Sequence, residues 1–303
     1  MTRTVLVLGA SGRFGRNVAD AFTKAGWQVR RFDRAADNLK EAGTGVDVIV
    51  NGWNPVYTDW AAQVPKLTAE VISAARVSGA TVIIPGNVYV YGPQTPAPWT
   101  LSSSHAASNR LGLIRREMEQ SFRESGVKVV LLRAGDFIDT VASGNWFDQI
   151  MTAKIGKGVF TYPGRSDIPH AWAFLPDLAR AAVLLAEMRD QLNRYEEVLF
   201  PGYTVSGQGM VAAISDAMQR EVRLKRMNWL PLRMAALFWR MGRCLLEMRY
   251  LWNTPHSLGG ERFRELLPEF EATPLEDAMR KALPQEVVGS VAQGKPRSTQ
   301  ISA

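Results

Sequence analysis

The sequence predicts an α/β fold, in which a doubly wound parallel sheet is joined to a smaller and mostly helical C-terminal part. Three observations support this prediction. Short β-branched runs alternate with helical periods over the first third of the 303 residues. A glycine-rich turn joins the first apolar run to the first helical period. From Val211 onward, apolar residues recur at helical steps, which predicts an all-helical end of the chain.

Five apolar runs have the length and composition of buried parallel strands. They cover residues 5–8, 27–32, 46–50, 80–84 and 127–132. After the first run, Phe14, Val18 and Phe22 recur at helical spacing, and Gly26 stands where a helix C-cap needs positive φ. Further elements are predicted as helices ending at residue 79 and covering 107–124 and 176–188, and as a strand at 198–200. In such a sheet, ligands bind at the carboxyl ends of the strands.

The turn after the first strand contains three glycines, each three residues from the next. Gly9 permits the tight turn, Gly12 lets a pyrophosphate approach the backbone, and Gly15 lets helix and strand pack closely. The helix N-terminus supplies unpaired N–H groups and a partial positive charge. The sequence therefore predicts a Rossmann-type unit that binds a dinucleotide, with the turn contributing Gly9, Ser11, Gly12, Arg13, Phe14 and Gly15.

This interpretation divides the chain into two parts. Residues 1–138 are predicted to form the dinucleotide-binding domain, to which residues 174–200 return. Residues 139–173 and 201–285 are predicted to form the substrate-binding part, because aromatic residues among glycines and prolines are typical of loops that line a substrate. Residues 286–303 are polar and are predicted to be a disordered tail.

Five segments carry a resemblance to a known family. They are residues 47–50 (DVIV), 90–92 (VYG), 132–136 (LRAGD), 172–178 (WAFLPDL) and 270–279 (FEATPLEDAM). Together they resemble the extended branch of the short-chain dehydrogenase/reductase superfamily, which contains NAD-dependent epimerases and dehydratases. The resemblance spans residues 1–283 and implies a nicotinamide dinucleotide as cofactor and a hydroxyl or carbonyl compound as substrate.

Two neighbouring residues give opposite indications about which dinucleotide is bound. Asp33, at the end of the second strand, can accept hydrogen bonds from an adenosine ribose 2′-hydroxyl, which favours NAD. Arg34 can pair with a 2′-phosphate, together with Arg13 and Arg16, which favours NADP. The predicted cofactor is therefore NAD or NADP.

The resemblance also implies a Tyr-x-x-x-Lys pair and a Ser or Thr, with which family members move the proton of the substrate oxygen. This sequence lacks the pair, because Ala107 and Leu111 occupy the two positions, and Asn87 stands at the Ser/Thr position. A positioned acid or base contributes about 10²- to 10⁴-fold to a rate, whereas orientation against a bound cofactor contributes more. Loss of the pair therefore weakens catalysis without excluding it.

Substitutes for the missing pair must lie where substrate meets nicotinamide. The predicted catalytic residues are Asn87, Tyr91, Asp136 and His170, and Tyr89 lies with Tyr91 beyond the fourth strand on the same edge of the sheet. Arg110 is predicted to replace the lysine at the cofactor ribose. Each of these residues also has a simpler interpretation, as a loop residue that holds its neighbours. No metal site is predicted.

Basic residues are concentrated between positions 220 and 249. This segment contains eight Lys or Arg and two acidic residues, in a chain of net charge +7. Apolar residues recur there at steps of three or four, which predicts one helix with an apolar face toward the core. Phe238, Trp239 and Trp252 widen the apolar arc, so a substrate lid, a dimer contact and a membrane-surface helix remain open. Nucleic acid is not a predicted partner, because it would need an exposed arginine track with stacking aromatics.

Composition narrows the class of protein further. The single cysteine, Cys244, rules out an internal disulfide and is typical of the cytoplasm, and no apolar run is long enough to span a membrane. The sequence therefore predicts an NAD(P)-dependent oxidoreductase or epimerase-like enzyme that acts on a small molecule. The alternative is a catalytically inactive NAD(P)-binding regulatory or scaffold protein. A homodimer is expected only by analogy with the superfamily.

Overall fold

The computed structural model describes residues 3–288, and the strands fall into three sheets. In chain order they are β1 (Thr4–Leu8), β2 (Gln28–Arg31), β3 (Val48–Asn51), β4 (Thr81–Gly86), β5 (Val129–Arg133), β6 (Asp136–Ile138), β7 (Val159–Tyr162), β8 (His170–Phe174), β9 (Tyr195–Leu199), β10 (Tyr203–Val205) and β11 (Arg223–Arg226). The main sheet has six parallel strands in the order β2-β1-β3-β4-β5-β9. This arrangement confirms the predicted doubly wound sheet.

The helices are shorter and more numerous than the sequence predicts. They are α1 (Arg13–Lys24), α2 (Leu39–Ala42), α3 (Trp60–Ser78), α4 (Arg110–Glu124), α5 (Leu175–Glu187), α6 (Gly207–Met218), α7 (Leu230–Ala235), α8 (Arg240–Glu247), α9 (Glu261–Leu266), α10 (Leu275–Ala282) and α11 (Gln285–Val288). Within residues 3–288, no helix is both long enough and apolar enough to cross a bilayer.

Each face of the main sheet is covered by a pair of helices. Side chains alternate between the faces along a strand, so Val5 and Val7 of β1 pack with α1 and α5, whereas Leu6 and Leu8 pack with α3 and α4. Burial of both faces explains why the strand sequences are continuously apolar. The carboxyl ends of the strands remain uncovered by these helices and form one edge.

The smaller part has its own core and two small sheets. Strands β6, β8 and β10 form one sheet, and β7 pairs with β11 in the other. Aromatic side chains from the loops after β6 pack there with α6 and α10. The prediction of an all-helical chain after Val211 was wrong, because the β-like run at β11 is only four residues long and mostly charged. This run forms a strand because it pairs with β7, which has no other strand partner within the described residues.

The basic segment is not one continuous helix. Helix α7 ends at Ala235 and α8 begins at Arg240, with Leu237 and Phe238 exposed between them. The predicted core-facing stripe was therefore wrong over α7 and the link that follows it. Of the predicted tail, residues 286–288 belong to α11, and residues 289–303 lie outside the described residues.

Candidate functional site

The turn between β1 and α1 is tight and is built by glycines. Gly9 has φ +69°, in the left-handed region that favours glycine. A Cβ on Gly15 would overlap the carbonyl oxygen of Gly9. The first turn of α1 therefore lies directly against the end of β1, as a Rossmann-type turn requires.

The same turn leaves backbone amides without acceptors. The Gly12 amide donates to the Gly9 carbonyl at 2.9 Å, but the amides of Arg13, Phe14 and Gly15 have no acceptor within residues 3–288. Gly12 provides no capping side chain, and the first turn of α1 has no acidic residue. Three unpaired N–H groups at the positive end of a helix form an anion-binding site.

Gly12 differs from the other two glycines. Its φ is −75°, which any residue adopts, and a Cβ there would meet only the Gly9 carbonyl oxygen, at 3.2 Å. The backbone conformation therefore does not require glycine at this position, and a Cβ would be in tight contact with the turn. The bare backbone at Gly12 faces the cleft described next, where a side chain would occupy ligand space.

A cleft of about 610 Å³ runs along the carboxyl ends of the parallel strands. It extends from the glycine turn to the ends of β4 and β5. Of the predicted cofactor residues, those that line it are Gly9, Ser11, Gly12, Arg13, Phe14 and Arg34. Gly15 lies beneath the turn, and Asp33 and Arg110 are not part of the wall. Most of the predicted binding turn thus faces one cavity.

Arg34 and Asp33 have different surroundings. The Arg34 guanidinium lies 4.7 Å from the centre of the Trp53 ring and forms no salt bridge within residues 3–288. The Asp33 carboxylate accepts a hydrogen bond from the Ala35 amide at 2.9 Å, within its own turn. Arg34 is therefore the cation available in the cleft at the end of the second strand.

Two tyrosine hydroxyls meet at the other end of the cleft. The oxygens of Tyr57 and Tyr89 are 2.6 Å apart, and both side chains line the cavity. Burial raises the pKa of both hydroxyls above the ordinary value of 10.0, and the nearby Asp136 carboxylate adds to the effect. Both groups are therefore neutral at physiological pH and can donate hydrogen bonds.

A buried arginine accompanies the tyrosine pair. The Arg115 guanidinium donates to Asn54 Oδ1 at 2.6 Å and lies 4.1 Å from the Trp60 ring centre. Burial lowers its pKa, but arginine stays protonated in proteins. Its charge in turn lowers the pKa of Tyr57 and Tyr89, against the larger effect of burial. A cation and two hydroxyls thus converge on one part of the cleft.

The sequence reasoning missed Tyr57 and Arg115. Arg115 lies on the same helix one turn beyond Leu111, which occupies the position implied for the lysine, so a search for a basic residue one turn further along could have identified it. Tyr57 lies in a short 3₁₀ turn after β3 and has no such spacing signal. Only the fold brings it beside Tyr89.

Asn87 and Asp136 line the cleft at the ends of β4 and β5. Asn87 Oδ1 accepts from the Tyr89 amide at 3.0 Å, which orients the side chain and leaves its NH₂ group as a donor. The Asp136 carboxylate lies 2.7 Å from His170 Nε2. Both residues are therefore in place to contact a ligand.

Tyr91, His170 and Arg110 are not in the cleft, contrary to the sequence prediction. Tyr91 is fully buried and stacks on Trp99 with ring centres 4.5 Å apart. His170 is 2% exposed and contacts the cleft only through Asp136. Arg110 is the first residue of α4 and lines a second, separate pocket of about 370 Å³. The residue types were compatible with a site, but burial in the core places the first two elsewhere.

His170 belongs to a buried aromatic cluster that also contains His256. His256 is 1% exposed, stacks on Trp99 and lies 4.3 Å from the His170 ring centre. Its Nδ1 donates to the Thr254 carbonyl at 2.8 Å, and its Nε2 has no partner within the described chain. Burial, reinforced by His170, lowers the pKa of His256 from 6.5 to about 3.

We expect His256 to make the protein sensitive to acid. Below pH 6.5 the unfolded chain binds a proton that folded His256 does not, so the free energy of unfolding decreases as pH falls toward 3. The slope is up to about 1.4 kcal/mol per pH unit. Urea unfolding at pH 7.5 and 5.0 should show an acid loss that is about 2 kcal/mol larger in the wild type than in His256→Phe. Equal losses in the two proteins would contradict this role.

Comparisons with known proteins give matches only to solved structures, because no family model and no curated protein matches this sequence. The chain has the fold of MoeE5 in complex with UDP-glucose and NAD, with a TM-score of 0.69, 15% identity, and coverage of 92% of this chain and 97% of that one.

Two further structures are similar to this chain. One is UDP-N-acetylglucosamine 4-epimerase from Bacillus cereus, with TM-score 0.71, 13% identity and coverage of 93% and 95%. The other is WbmH from Bordetella bronchiseptica in complex with NAD⁺, with TM-score 0.67, 16% identity and coverage of 93% and 97%. The comparisons therefore show a Rossmann-type α/β fold shared over nearly the whole chain.

Proposed function

We propose that the protein is an NAD(P)-dependent oxidoreductase or epimerase-like enzyme of the extended short-chain dehydrogenase/reductase type. The observation that carries this proposal is one continuous cleft, with unpaired backbone amides at one end and the Tyr57–Tyr89 hydroxyl pair at the other. The first end suits a pyrophosphate, and the second suits a reacting oxygen. The structural neighbours that hold NAD support the same assignment.

The residues present fit a dinucleotide. The amides of Arg13, Phe14 and Gly15 would hold the pyrophosphate, and Gly12 leaves room for it. Arg34 would face the adenosine ribose, where a 2′-phosphate suits its guanidinium, whereas Asp33 beside it suits a 2′-hydroxyl. When bound, the nicotinamide would supply or accept a hydride.

The chain's own residues would handle the substrate oxygen. A neutral tyrosine hydroxyl donates its proton to the oxygen of a carbonyl as that oxygen gains negative charge. Tyr57, 2.6 Å from Tyr89, can then return a proton to it and regain one from water in the cleft that it lines. The Arg115 charge stabilises the developing oxyanion, and the Asn87 amide group supplies a second donor. This arrangement replaces the missing Tyr-x-x-x-Lys pair.

The proposed substrate is a hydroxyl or carbonyl compound of small-molecule size. MoeE5 structures contain UDP-glucose and UDP-glucuronic acid. We propose a substrate of related chemistry, whose sugar-like hydroxyl reaches Tyr89 from the side of the cleft lined by Asn145 and Trp146. We also propose that the enzyme works in the cytoplasm, where its one buried thiol, Cys244, stays reduced.

Replacing Gly12 by valine tests cofactor binding. The valine side chain would occupy the cleft next to the unpaired amides, while the backbone there adopts an ordinary conformation. We expect the wild type to bind NADH or NADPH, and Gly12→Val to bind at least about tenfold more weakly, because the pyrophosphate loses its backbone hydrogen bonds. Isothermal titration calorimetry with both reduced and both oxidised forms measures this effect.

Gly156→Val is the matched control, because a Cβ on Gly156 would have no neighbour within 4 Å and this glycine lies outside the cleft. It should bind like the wild type. Equal affinity of Gly12→Val and the wild type, or no heat with any of the four dinucleotides, would contradict the proposal.

The alternative function is a catalytically inactive NAD(P)-binding regulatory or scaffold protein. One observation favours it, since the positions implied for the catalytic tyrosine and lysine hold Ala107 and Leu111, both of which are buried. The two functions separate when the protein is mixed with reduced cofactor and a panel of ketones, sugars, quinones and nucleotide sugars. Cofactor binding without oxidation across the panel would support the inactive protein.

A further inference from the structure

Exposed apolar side chains are concentrated in one short segment. Five large apolar residues between positions 230 and 239 are exposed, and we call this group the apolar tip: Leu230, Met234, Leu237, Phe238 and Trp239. Phe238 is 92% exposed and Leu237 is 63% exposed. The other exposed large apolar residues of the described chain are scattered over many elements. Exposed apolar side chains concentrated in this way mark an interaction surface.

The apolar tip is held in place by both of its flanks. Before it, Trp229 is buried and donates to the Pro163 carbonyl at 2.6 Å. After it, Cys244 and Met248 are buried in the core of the main domain. The two anchors fix the ends of α7 and α8, so the exposed link between them projects from a fixed base.

The charge of the segment that carries the apolar tip is entirely positive. Residues 222–246 contain six basic residues and no acidic residue. Arg233, Arg240 and Arg243 are exposed. Within residues 3–288, Arg240 and Arg243 pair with no carboxylate, and the guanidinium of Arg243 approaches only the carbonyls of the link, at 3.4 Å. This surface is complementary to a negatively charged partner.

A pocket of about 370 Å³ lies beside the apolar tip and carries three positive charges, two of them from this segment. Arg110 of α4 and Arg240 and Arg243 of α8 line it. The one acidic residue in its wall is Glu247, whose carboxylate accepts hydrogen bonds from Asn109 Nδ2 at 2.9 Å and from the Leu111 amide at 2.6 Å. Glu247 thus serves the N-terminus of α4, and the pocket keeps an excess of positive charge.

We propose that the apolar tip inserts into the interfacial layer of a bilayer that contains anionic lipids, with the surrounding arginines on the lipid phosphates. The pocket of Arg110, Arg240 and Arg243 takes one lipid phosphate group. Aromatic and aliphatic side chains next to exposed arginines have the chemistry of segments that lie in a membrane surface. A second copy of this chain is less suited, because a two-fold contact would bring together two sets of arginines without carboxylates.

Vesicle flotation tests this proposal with the full chain. The vesicles are phosphatidylcholine alone or phosphatidylcholine with phosphatidylglycerol. The wild type is expected to float only with the anionic vesicles. An arginine near an anionic surface contributes about fivefold in affinity, so Arg240→Gln combined with Arg243→Gln should weaken binding about 25-fold. Phe238→Ser should weaken it roughly tenfold or more. Val77→Ser and Lys66→Gln, exposed on α3, are matched controls and should bind like the wild type.

Several outcomes would overturn the proposal. The proposal is wrong if the wild type does not float with anionic vesicles, if it floats equally with neutral vesicles, or if it binds anionic vesicles no better than Phe238→Ser does. Size-exclusion chromatography with light scattering tests whether a second copy of the chain covers the apolar tip instead. A dimer that Phe238→Ser converts to monomer, with vesicle binding unchanged, would assign the apolar tip to a second copy. Near-ultraviolet circular dichroism checks that each variant is folded. If Phe238→Ser does not fold, the double arginine variant still tests the proposal.

Discussion

Replacing Tyr89 by phenylalanine is expected to lower kcat by roughly 10²- to 10⁴-fold, the usual contribution of a positioned acid. The change removes one hydroxyl from the pair that meets at 2.6 Å in the cleft and leaves the ring in place. KM should change much less, because the proton is needed in the transition state and not for binding. Steady-state kinetics with reduced cofactor, on a substrate identified by panel screening, measures the effect.

Tyr91→Phe is the matched control for this prediction. Tyr91 lies two residues further along, and its buried hydroxyl has no hydrogen-bond partner within the described chain. We expect its kcat to equal that of the wild type. If Tyr91→Phe lost activity and Tyr89→Phe did not, the assignment of the acid would be wrong.

The pH profile gives a second readout of the same site. Because burial raises the pKa of Tyr89 above 10.0, carbonyl reduction should stay active into alkaline solution and fall only above that value. Asp136 adds to the raised pKa of both tyrosines. Asp136→Asn should therefore move the alkaline limb of the profile to lower pH, which a merely structural effect would not do.

Replacing Arg133 by methionine is expected to destabilise the protein by about 3 to 5 kcal/mol, the usual effect of breaking a buried ion pair. Arg133 is fully buried in β5 and pairs with Glu119 at 2.7 Å and with Glu197 at 2.6 Å. These contacts link α4 and β9 to the sheet. The substitution would leave the buried Glu119 carboxylate without its arginine, and Glu197 with only the half-exposed Arg123 at 3.2 Å. Urea unfolding at neutral pH measures the difference.

Arg165→Met is the corresponding surface control. Arg165 pairs with Asp167 at 2.6 Å, but both side chains are more than half exposed. Exposed pairs contribute about 0 to 1 kcal/mol, so this variant should be nearly as stable as the wild type. A loss of less than about 1 kcal/mol in Arg133→Met would show that the carboxylates are rehydrated at little cost.

The main sheet and the glycine turn could be predicted from the sequence because their signals are local. A buried parallel strand is a short apolar run, and a helix repeats its apolar residues every three or four positions. The glycines at 9, 12 and 15 act within seven residues of one another. Each signal lies within a single element or turn, so neighbours in the chain suffice to identify it.

The smaller part was predicted less well for a physical reason. Strand β11 has four residues, three of them basic, and becomes a strand only by pairing with β7, more than 60 positions earlier. The apolar spacing in the segment that forms α7 and α8 suits a continuous helix, yet the flanks are buried in two different cores. The positions of the two cores fix the path of the link between α7 and α8. The spacing of apolar residues along the chain carries no information about how far apart those cores lie.

By itself, the sequence determined the fold class, the glycine turn and the absence of the usual catalytic pair, because these depend on residue type and spacing along the chain. The tertiary structure alone decided which tyrosines face the cleft. Tyr89 and Tyr91 have the same residue type two positions apart, but one meets Tyr57 and Arg115 in the cavity and the other stacks on Trp99 in the core. Burial and exposure are set by packing between distant segments, and packing becomes visible only when those segments are assembled.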